Sequence, residues 1–429
     1  MIHLRSFTFS VIFLLFHTVC HAQMTSSEID GFVEKALKDF KVAGCAVAVV
    51  KDGQIIHNKG YGVISSKSNI KTNRHSQFEI ASLSKAFTTA ALAILVEEGK
   101  IKWDDKVVDH IPEFRMYNDY VTQNFNIVDL LTHRSGLGLG IGDLMIFPDG
   151  SDFTIDDLLS SFQHFKPVSA FRTQFDYDNL LYIVAGEVIA RKSGLSWEQF
   201  VSQKIFSPLG MDNSYTSLSE IKDRSNLSSP HTTATGQISV LPNYEDMING
   251  AAGGIYSNVD DLCQWMLCHL NEGKYGTELS DQLFTEKNQR EMWKIHTVLD
   301  ASRNPRYNSH FNGYGLGWAL ADKVGNMEVS HTGGLPGMLS RLVLIPDLEL
   351  GVVVLTNTEV GGAGIFEAVS RTIVDSYFGL DDYDWDGKML KYFSNRADEA
   401  DSVVTEVWNV VKRSKKNTPQ ESNYIGVYK

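Results

Sequence analysis

The chain opens with two hydrophobic patterns of different period. Apolar residues recur at helical spacing over residues 28–41, and Thr25 with Glu28 is placed to form a capping box at the start of that helix. The run Cys45–Val50 is continuously apolar and leads into an Asp-Gly pair, which is typical of a hairpin turn. These patterns predict a helix and then a two-stranded hairpin whose second strand is Gln54–Val63.

The strongest helical pattern covers residues 82–98. Almost every side chain from Ala86 to Val96 is apolar, and Gly99 follows as a C-terminal cap. A helix with no polar face is expected to be buried on most sides.

Strand patterns return near the end of the sequence, after a stretch over residues 126–300 in which helical segments alternate with loops rich in Gly, Ser and Asn. The predicted strands are Gly313–Leu320, Met327–His331, Arg341–Ile345 and Leu350–Asn357, and Phe366–Phe378 is predicted to be a closing helix. Strands at both ends of the chain predict an α/β (α+β) fold in which one mixed sheet is built from the two termini, with a helical insertion between them.

The composition of the chain limits the kinds of molecule that the protein is expected to bind. The 429 residues are 43% hydrophobic and carry a formal net charge of −13. An acidic surface repels phosphate backbones, so we expect no nucleic-acid partner. The four cysteines are too few for a disulfide scaffold, and Cys263 and Cys268, five apart on a predicted helix, are expected to be buried free thiols.

The N-terminal segment has the pattern of a secretory signal peptide. Arg5 precedes an apolar run over residues 7–16, and a small-residue cleavage site ends at Ala22. The run is shorter than the roughly 20 residues that span a bilayer. A lipid anchor at Cys20 is the alternative, although Val19 is a poor residue before such a cysteine. We expect residues 1–22 to be removed and the protein to be exported (secreted, periplasmic or lumenal), without stable membrane insertion.

The sequence changes character after Gly379. The acidic run over residues 381–387 resembles the start of a calcium loop, but Phe393 stands where the bidentate glutamate of that loop is needed. We therefore expect an acidic connector, a helix from Glu399 to Lys412 and a polar tail. No metal site and no cofactor are predicted.

Ser82 and Lys85, at the start of the buried helix, are the candidate catalytic pair. Three residues apart on a helix, they share one face, and the backbone field of a helix start favours the anion formed when a serine attacks a carbonyl. Burial favours neutral lysine, which can take a proton from serine. The alternative is a capping serine with a surface lysine, but the apolar helix behind the pair favours chemistry. Two further copies of this spacing, beginning at Ser68 and Ser219, lie in polar surroundings.

A second element is Tyr177-Asp178-Asn179, before a helix predicted from Leu180 to Lys192. Tyr177 could share a proton with Lys85, and Asn179 could hold a substrate amide. The alternative is a tyrosine packed at a helix start, and Tyr256-Ser257-Asn258 has the same form.

The third element, His331-Thr332-Gly333-Gly334, ends an apolar strand. An edge strand here could offer the N–H of Gly334 beside that of Ser82 as a two-donor oxyanion hole. Lys192-Ser193-Gly194 is a rival for this role, but it has the form of a helix end capped by Gly194.

Taken in order, the three elements resemble those of the serine β-lactamase-like family, which includes class C β-lactamases, penicillin-binding proteins and esterases. Further segments that are similar to this family begin at Gly44, Leu130, Pro208, Ala252 and Tyr314. The resemblance covers about residues 28–380. It implies a β-lactamase/transpeptidase-like fold, an antiparallel sheet flanked by helices plus an all-helical region, within a hydrolase domain of residues 23–380 followed by the connector, helix and tail of residues 381–429.

The resemblance also implies roles for the site residues. Ser82 would be the acylated nucleophile, with Lys85 and Tyr177 acting together as general base and acid. Asn179 would position the substrate, and the N–H groups of Ser82 and Gly334 would hold the oxyanion. The strand beside the substrate would be lined by His331, Thr332 and Gly333.

His331 departs from relatives that recognise β-lactam carboxylates, which usually carry lysine there. Histidine is largely neutral at neutral pH, so a permanent positive charge is lost. Relatives with His-x-Gly include esterases, D-amino-acid peptidases and proteases. We therefore predict a serine hydrolase for a small ester, amide or peptide, with weak or absent β-lactamase activity. The alternatives are an acyl-trapping receptor of the penicillin-binding type, a true class C-like β-lactamase, and a structural protein that keeps only the fold. The oligomeric state is not predicted.

Overall fold

The computed structural model describes residues 23–413 except 235, 246–247 and 302–303. The predicted signal peptide and the tail from residue 414 lie outside the described residues.

Eight strands form the main sheet: β1 Gly44–Lys51, β2 Gln54–Gly62, β3 Thr297–Leu299, β4 Asn312–Tyr314, β5 Ala319–Lys323, β6 Asn326–Leu335, β7 Met338–Ile345 and β8 Leu350–Thr356. The α-helices of the described part are α1 Ser26–Asp39, α2 Ser84–Glu97, α3 Val107–His110, α4 Asp119–Asn124, α5 Ile127–Leu131, α6 Ile155–Ser161, α7 Leu180–Ser193, α8 Trp197–Val201, α9 Ser207–Leu209, α10 Gly250–Gly253, α11 Val259–Leu270, α12 Glu286–Met292, α13 Gly361–Tyr377 and α14 Trp385–Arg413.

The sheet is built from both ends of the chain, as expected, but it is not mixed. Its strand order is β2-β1-β8-β7-β6-β5-β4-β3, and every neighbouring pair is antiparallel. The prediction of a mixed sheet from the residue pattern was therefore wrong, because β1 runs antiparallel to the C-terminal strand β8 as well as to its hairpin partner β2. The antiparallel sheet that the family resemblance implies is the one observed.

The N-terminal predictions are confirmed. Thr25 and Glu28 form the capping box of α1, and the hairpin of β1 and β2 turns at Asp52 and Gly53. The expected C-terminal glycine follows α2, with Gly99 at a φ of +68°.

The sheet is covered on both faces. Alternate residues of β1 belong to different cores: Ala46 and Ala48 pack with the helical region that contains α2, α7 and α11, whereas Val47 and Val49 pack with α1 and α13. This burial of both faces explains why the strand pattern is continuously apolar rather than alternating. On the helical side every residue of α2 from Ser84 to Leu95 is buried, as the pattern predicted.

Two segments differ from the expected boundaries. The stretch predicted as one strand, Gly313–Leu320, forms β4 and β5 joined by a tight turn, because Gly317 at a φ of +79° passes close to α2, where a Cβ would lie 2.8 Å from Oγ1 of Thr89. The C-terminal helix α14 begins at Trp385, well before the predicted Glu399, and includes part of the acidic connector.

The described ranges contain three cysteines, and they contain neither a metal-binding cluster nor a helix of membrane-spanning character. Cys45, Cys263 and Cys268 are buried free thiols, as expected for the last two. In these ranges no group of three or more His, Cys, Asp or Glu side chains could hold a metal ion. No helix of this part of the chain has the length and apolar character needed to cross a membrane.

Two helix-interior glycines provide a matched test of packing. A Cβ at Gly364 in α13 would lie 2.2 Å from the ring of the buried Phe40, whereas nothing lies within 4 Å of a Cβ at the exposed Gly31 in α1. We expect Gly364→Ala to destabilise the fold by about 1–3 kcal/mol through overpacking. Gly31→Ala should stabilise it by about 0.5–1 kcal/mol, because alanine is the better helix former. Urea unfolding of both variants checks this, and a gain of stability in Gly364→Ala would contradict the packing.

Candidate active site

Ser82 lies on a sharp turn at the start of α2. The 3₁₀ turn Ala81–Leu83 precedes the helix, and Ala81 adopts a φ of +49°, a region that L-residues rarely occupy. Such backbone strain persists only where the surroundings hold it, and it is concentrated at functional sites. Here the turn leaves Ser82 partly exposed between a buried Ala81 and a buried Leu83.

The amine of Lys85 lies at the centre of the site. Lys85 is fully buried, and its Nζ donates to Oγ of Ser82 at 3.1 Å, to Oδ1 of Asn179 at 2.8 Å and to the carbonyl of Ala252 at 2.8 Å. All three partners are neutral, so the ammonium has no carboxylate in direct contact. Burial lowers the pKa of Lys85 to about 7, and the nearby charges of Asp143 and Asp178 only partly oppose this.

The loop before α7 brings the second element to the same place. The ring centroid of Tyr177 lies 4.8 Å from Nζ of Lys85. Burial raises the pKa of Tyr177, while the nearby Ser82 hydroxyl acts in the opposite direction. The hydroxyl, the amine and the phenol therefore meet in one cleft, which is the convergence that the sequence predicted for Ser82, Lys85 and Tyr177.

Asp178 fixes the start of this helix. Its Oδ1 accepts from the backbone N–H of Leu180 at 2.9 Å, whereas the N-cap residue of α7, Asn179, makes no side-chain cap bond. Burial raises the pKa of Asp178 to about 8, which the N–H of Leu181 and other partners only partly oppose. Its Oδ2 is buried without a partner among the described residues.

Strand β6 forms the other wall of the cleft. The partner strand β5 pairs with β6 only up to Ser330, so the ladder of residues 331–335 runs to β7 alone. The strand also reaches Leu335, beyond the predicted end at His331. Thr332 and Gly334 are exposed along this stretch. The predicted open edge is therefore present beside Ser82, while the oxyanion role of Gly334 stays a prediction.

Gly333 permits the close approach of this strand to the serine turn. A Cβ at Gly333 would lie 2.3 Å from the carbonyl oxygen of Ile80 and 3.1 Å from Cβ of Ala81. Ser340 of β7 reinforces the contact by donating its hydroxyl to the carbonyl of Ile80 at 2.7 Å. The glycine is needed because backbone packs against backbone here.

His331 is buried and neutral. Burial lowers the pKa of His331 to about 3, and the charge of Lys85 acts in the same direction. Its Nδ1 lies 2.6 Å from the carbonyl of Thr332, which can only accept, so Nδ1 carries the proton. Its Nε2 must then accept from the hydroxyl of Tyr314 at 2.8 Å. Both ring nitrogens are therefore occupied by protein partners, and a direct contact of His331 with substrate stays a prediction.

Two residues that sequence reasoning did not select complete the surroundings. His133 is fully buried, its Nδ1 accepts the N–H of Asp178 at 3.0 Å, and its ring lies 4.2 Å from that of Tyr177. Asp143 accepts from Nδ2 of Asn179 at 3.1 Å. In the sequence, His133 stands out only because the segment Leu130–Leu137 is similar to the family. Asp143 lies in a glycine-rich loop and belongs to no motif. The rival Lys192–Gly194 ends α7 with Gly194 as its cap, as expected.

Comparison with known proteins identifies relatives over most of the chain. A family model described as Beta-lactamase matches residues 29–371. The unguisins hydrolase ungD' of Aspergillus campestris is 29% identical over 345 residues, which are 76% of this chain and 60% of that protein. The unguisins hydrolase ungD of Aspergillus violaceofuscus is 26% identical over 85% of this chain and 68% of its own length. Protein flp of Staphylococcus aureus is 25% identical over 78% of this chain and 63% of its own length.

This chain therefore spans about 60% of the length of the first of these relatives. Among solved structures, the octameric penicillin-binding protein homologue from Pyrococcus abyssi aligns with a TM-score of 0.70 and 24% identity, over 82% of this chain and 77% of that one. This likeness shows the β-lactamase/transpeptidase-like fold, in agreement with the strand order and the helical region described above.

The buried amine predicts a pH dependence of stability. Because the folded protein holds Lys85 at a pKa of about 7 against an ordinary value of 10.5, the unfolded chain binds more protons between these two values. Stability from this group therefore rises with pH across that window and is flat below it. We expect the difference in unfolding free energy between the wild type and Lys85→Met to change in favour of the wild type as pH rises from about 7 to 10. Urea unfolding of both proteins over pH 6–10 measures this, and parallel curves would show that Lys85 is not desolvated.

Proposed function

This chain belongs to the β-lactamase family, and from that premise we propose that it is a serine hydrolase that cleaves an ester or an amide through an acyl-enzyme on Ser82. The observation that carries the proposal is the contact of 3.1 Å between the hydroxyl of Ser82 and a buried amine whose pKa lies near neutrality. A general base is most effective when its pKa lies near the working pH. The names of two relatives as hydrolases support hydrolysis as the reaction class.

Acylation follows from this arrangement. Neutral Lys85 accepts the proton of Ser82 as Oγ forms a bond to the substrate carbonyl carbon, and the carbonyl oxygen becomes the oxyanion. The N–H groups of Ser82 and Gly334 would stabilise that charge, a contribution for which loss of one donor typically costs about 10²–10³ in kcat. As the tetrahedral intermediate collapses, the bond to the leaving group breaks, and Tyr177 passes a proton from Lys85 to the departing oxygen or nitrogen.

Deacylation uses the same groups with water. Lys85 and Tyr177 take a proton from a water molecule, whose oxygen attacks the acyl carbon. The acid product leaves and the proton returns to Oγ of Ser82. The phenol of Tyr177 suits transfer through its hydroxyl rather than a lasting phenolate, because burial raises its pKa.

We also propose export of the mature protein, on the signal-peptide pattern of residues 1–22. That segment lies outside the described residues, so the pattern in the sequence is its support.

Ser82→Ala tests the nucleophile. We expect turnover of p-nitrophenyl acetate to fall by about 10³ or more, because the hydroxyl in contact with the buried amine of Lys85 is lost. A matched control is Ser219→Ala, since Ser219 heads the same Ser-x-x-Lys spacing on an exposed segment. A fluorophosphonate should label the wild type and Ser219→Ala but not Ser82→Ala. Undiminished turnover in Ser82→Ala would exclude the mechanism, and lasting acylation by the ester itself would favour an acyl-trapping receptor.

The neutral His331 supports an ester or amide substrate over a carboxylate-bearing β-lactam. His331→Lys should raise kcat/KM for nitrocefin by about 10- to 100-fold, because a charge-assisted hydrogen bond contributes about 1.5–3 kcal/mol. His331→Asn is the neutral control and should not gain. Wild-type hydrolysis of nitrocefin as fast as that of the ester would contradict this substrate preference.

A further inference from the structure

Asp143 carries a carboxylate that lies outside the ion pairs of the described residues and is hydrogen-bonded to Asn179 of the candidate site. Asp143 belongs to the loop over residues 138–150, which is held against the second catalytic element by a hydrogen bond from the N–H of Gly140 to the carbonyl of Tyr177 at 2.8 Å. Asp143 is half-buried, and its Oδ1 accepts from Nδ2 of Asn179. Among the ion pairs of the described residues, none includes Asp143.

The amide of Asn179 connects this carboxylate to Lys85 through two hydrogen bonds. Its Oδ1 accepts from Nζ of Lys85 at 2.8 Å and its Nδ2 donates to Asp143 at 3.1 Å. The carbonyl side of the amide is thereby committed to Lys85. A substrate that approaches Asn179 meets the carboxylate of Asp143 directly beside it.

Neither of the two basic side chains that the described residues bring to the site, Lys85 and His331, balances this carboxylate with a permanent positive charge. His331, which stands where relatives of the resistance type carry lysine, is neutral with both nitrogens occupied. The amine of Lys85 must lose its charge to act as a base. In the reactive state the cleft is therefore anionic, which repels a carboxylate and attracts a cation.

We propose that Asp143 is a specificity-determining residue that binds an ammonium group on the acyl part of the substrate, so that the enzyme prefers esters or amides of amino acids with a free amine. This inference rests on the hydrolase function proposed above and names its substrate class. A substrate ammonium would donate to the carboxylate of Asp143 while its carbonyl carbon lies at Oγ of Ser82. An α-amino group is the substrate ammonium to test first, because a single side chain, Asn179, joins the carboxylate of Asp143 to Lys85.

The same contact would assist catalysis. The charge of Asp143 stabilises protonated Lys85 in the free protein. A bound ammonium neutralises that charge and adds a cation nearby, and both effects favour the neutral amine. Binding of the preferred substrate would therefore shift Lys85 toward the form that accepts the proton of Ser82.

A set of matched substrates tests the proposal. Alanine methyl ester, its N-acetyl derivative and methyl propionate share the scissile bond and differ at the amine, and both enantiomers of the first two are included. For the wild type at pH 7 we expect kcat/KM for one enantiomer of alanine methyl ester to exceed that of its N-acetyl form by about 10- to 100-fold, the range of a charge-assisted hydrogen bond. Release of acid, followed by titration, is the measurement.

The variant Asp143→Asn distinguishes binding of the substrate ammonium by Asp143 from a purely structural role in holding Asn179. The substitution can change the rate for all substrates alike, but the ratio of kcat/KM for alanine methyl ester to kcat/KM for its N-acetyl form should fall by about tenfold or more. The pH at which kcat/KM for the N-acetyl ester is half-maximal should also become lower. Asp152→Asn, which removes an exposed carboxylate a few residues away, should keep the ratio of the wild type. An equal loss on all substrates in Asp143→Asn would overturn the proposal, because it would show a structural role only.

The wild-type panel also distinguishes this proposal from the one it rests on. Turnover of charged and uncharged esters at similar kcat/KM, with Ser82 acylated, would overturn the ammonium preference and leave the hydrolase intact. No turnover and no labelling of Ser82 would overturn the hydrolase, and the inference with it.

Discussion

The site depends on an amine that the fold has removed from water. Lys85 is fully buried, and a hydroxyl, an amide oxygen and a backbone carbonyl replace its hydration shell. Neutral partners satisfy the hydrogen-bonding groups of lysine but do not compensate the cost of burying its charge. The protein thus stabilises the proton-accepting form of the amine, at the cost of a group that destabilises the fold when charged. The positions of α2 from Ser84 to Leu95 are all buried, which keeps water away from this amine.

The surrounding architecture holds the partners of this amine within hydrogen-bond distance. Helix α2 packs against α11 through aromatic stacking, with the ring centroid of Phe87 4.0 Å from that of Trp265. On the other side, the sheet is fixed by cores on both of its faces, so β6 has little freedom to move away. Gly333 lets this rigid strand lie directly against the strained turn at Ala81. Two rigid bodies thereby meet at the partly exposed Ser82, which is where a preorganised site is needed.

Local patterns were sufficient to predict several of the elements and to select the side chains that meet at the candidate site. The hairpin of β1 and β2, the buried α2 and the glycine-capped α7 each follow from spacing and capping residues within a single segment. The pairing direction of β1 and β8 could not be obtained in this way, because it joins segments three hundred residues apart. The split of Gly313–Leu320 into two strands was missed for a related reason: the turn at Gly317 is set by contact with Thr89, which is distant in sequence. The family resemblance supplied the antiparallel sheet that the local pattern did not.

Electrostatics was the part of the site least visible in the sequence. An isolated histidine has a pKa of about 6.5, and burial together with the charge of Lys85 lowers the pKa of His331 to about 3. Asp143 lies in a loop without a motif, and it is the bond to Asn179 that connects its carboxylate to the site. The buried residues of α2 and α7 can therefore be predicted from hydrophobic spacing, whereas the charge of the cleft depends on contacts that only the three-dimensional structure shows. These two properties also lie on different parts of the chain. The proton transfer depends on side chains held by the helical core, and the charge of the cleft depends on residue 331 of β6 and residue 143 of a loop. In the proposed hydrolase, a substitution at residue 331 or 143 would change the charge that a substrate meets, whereas the contact between the amine and the hydroxyl is made by Lys85 and Ser82 at the start of α2. One reaction could then serve substrates of different charge on the same fold.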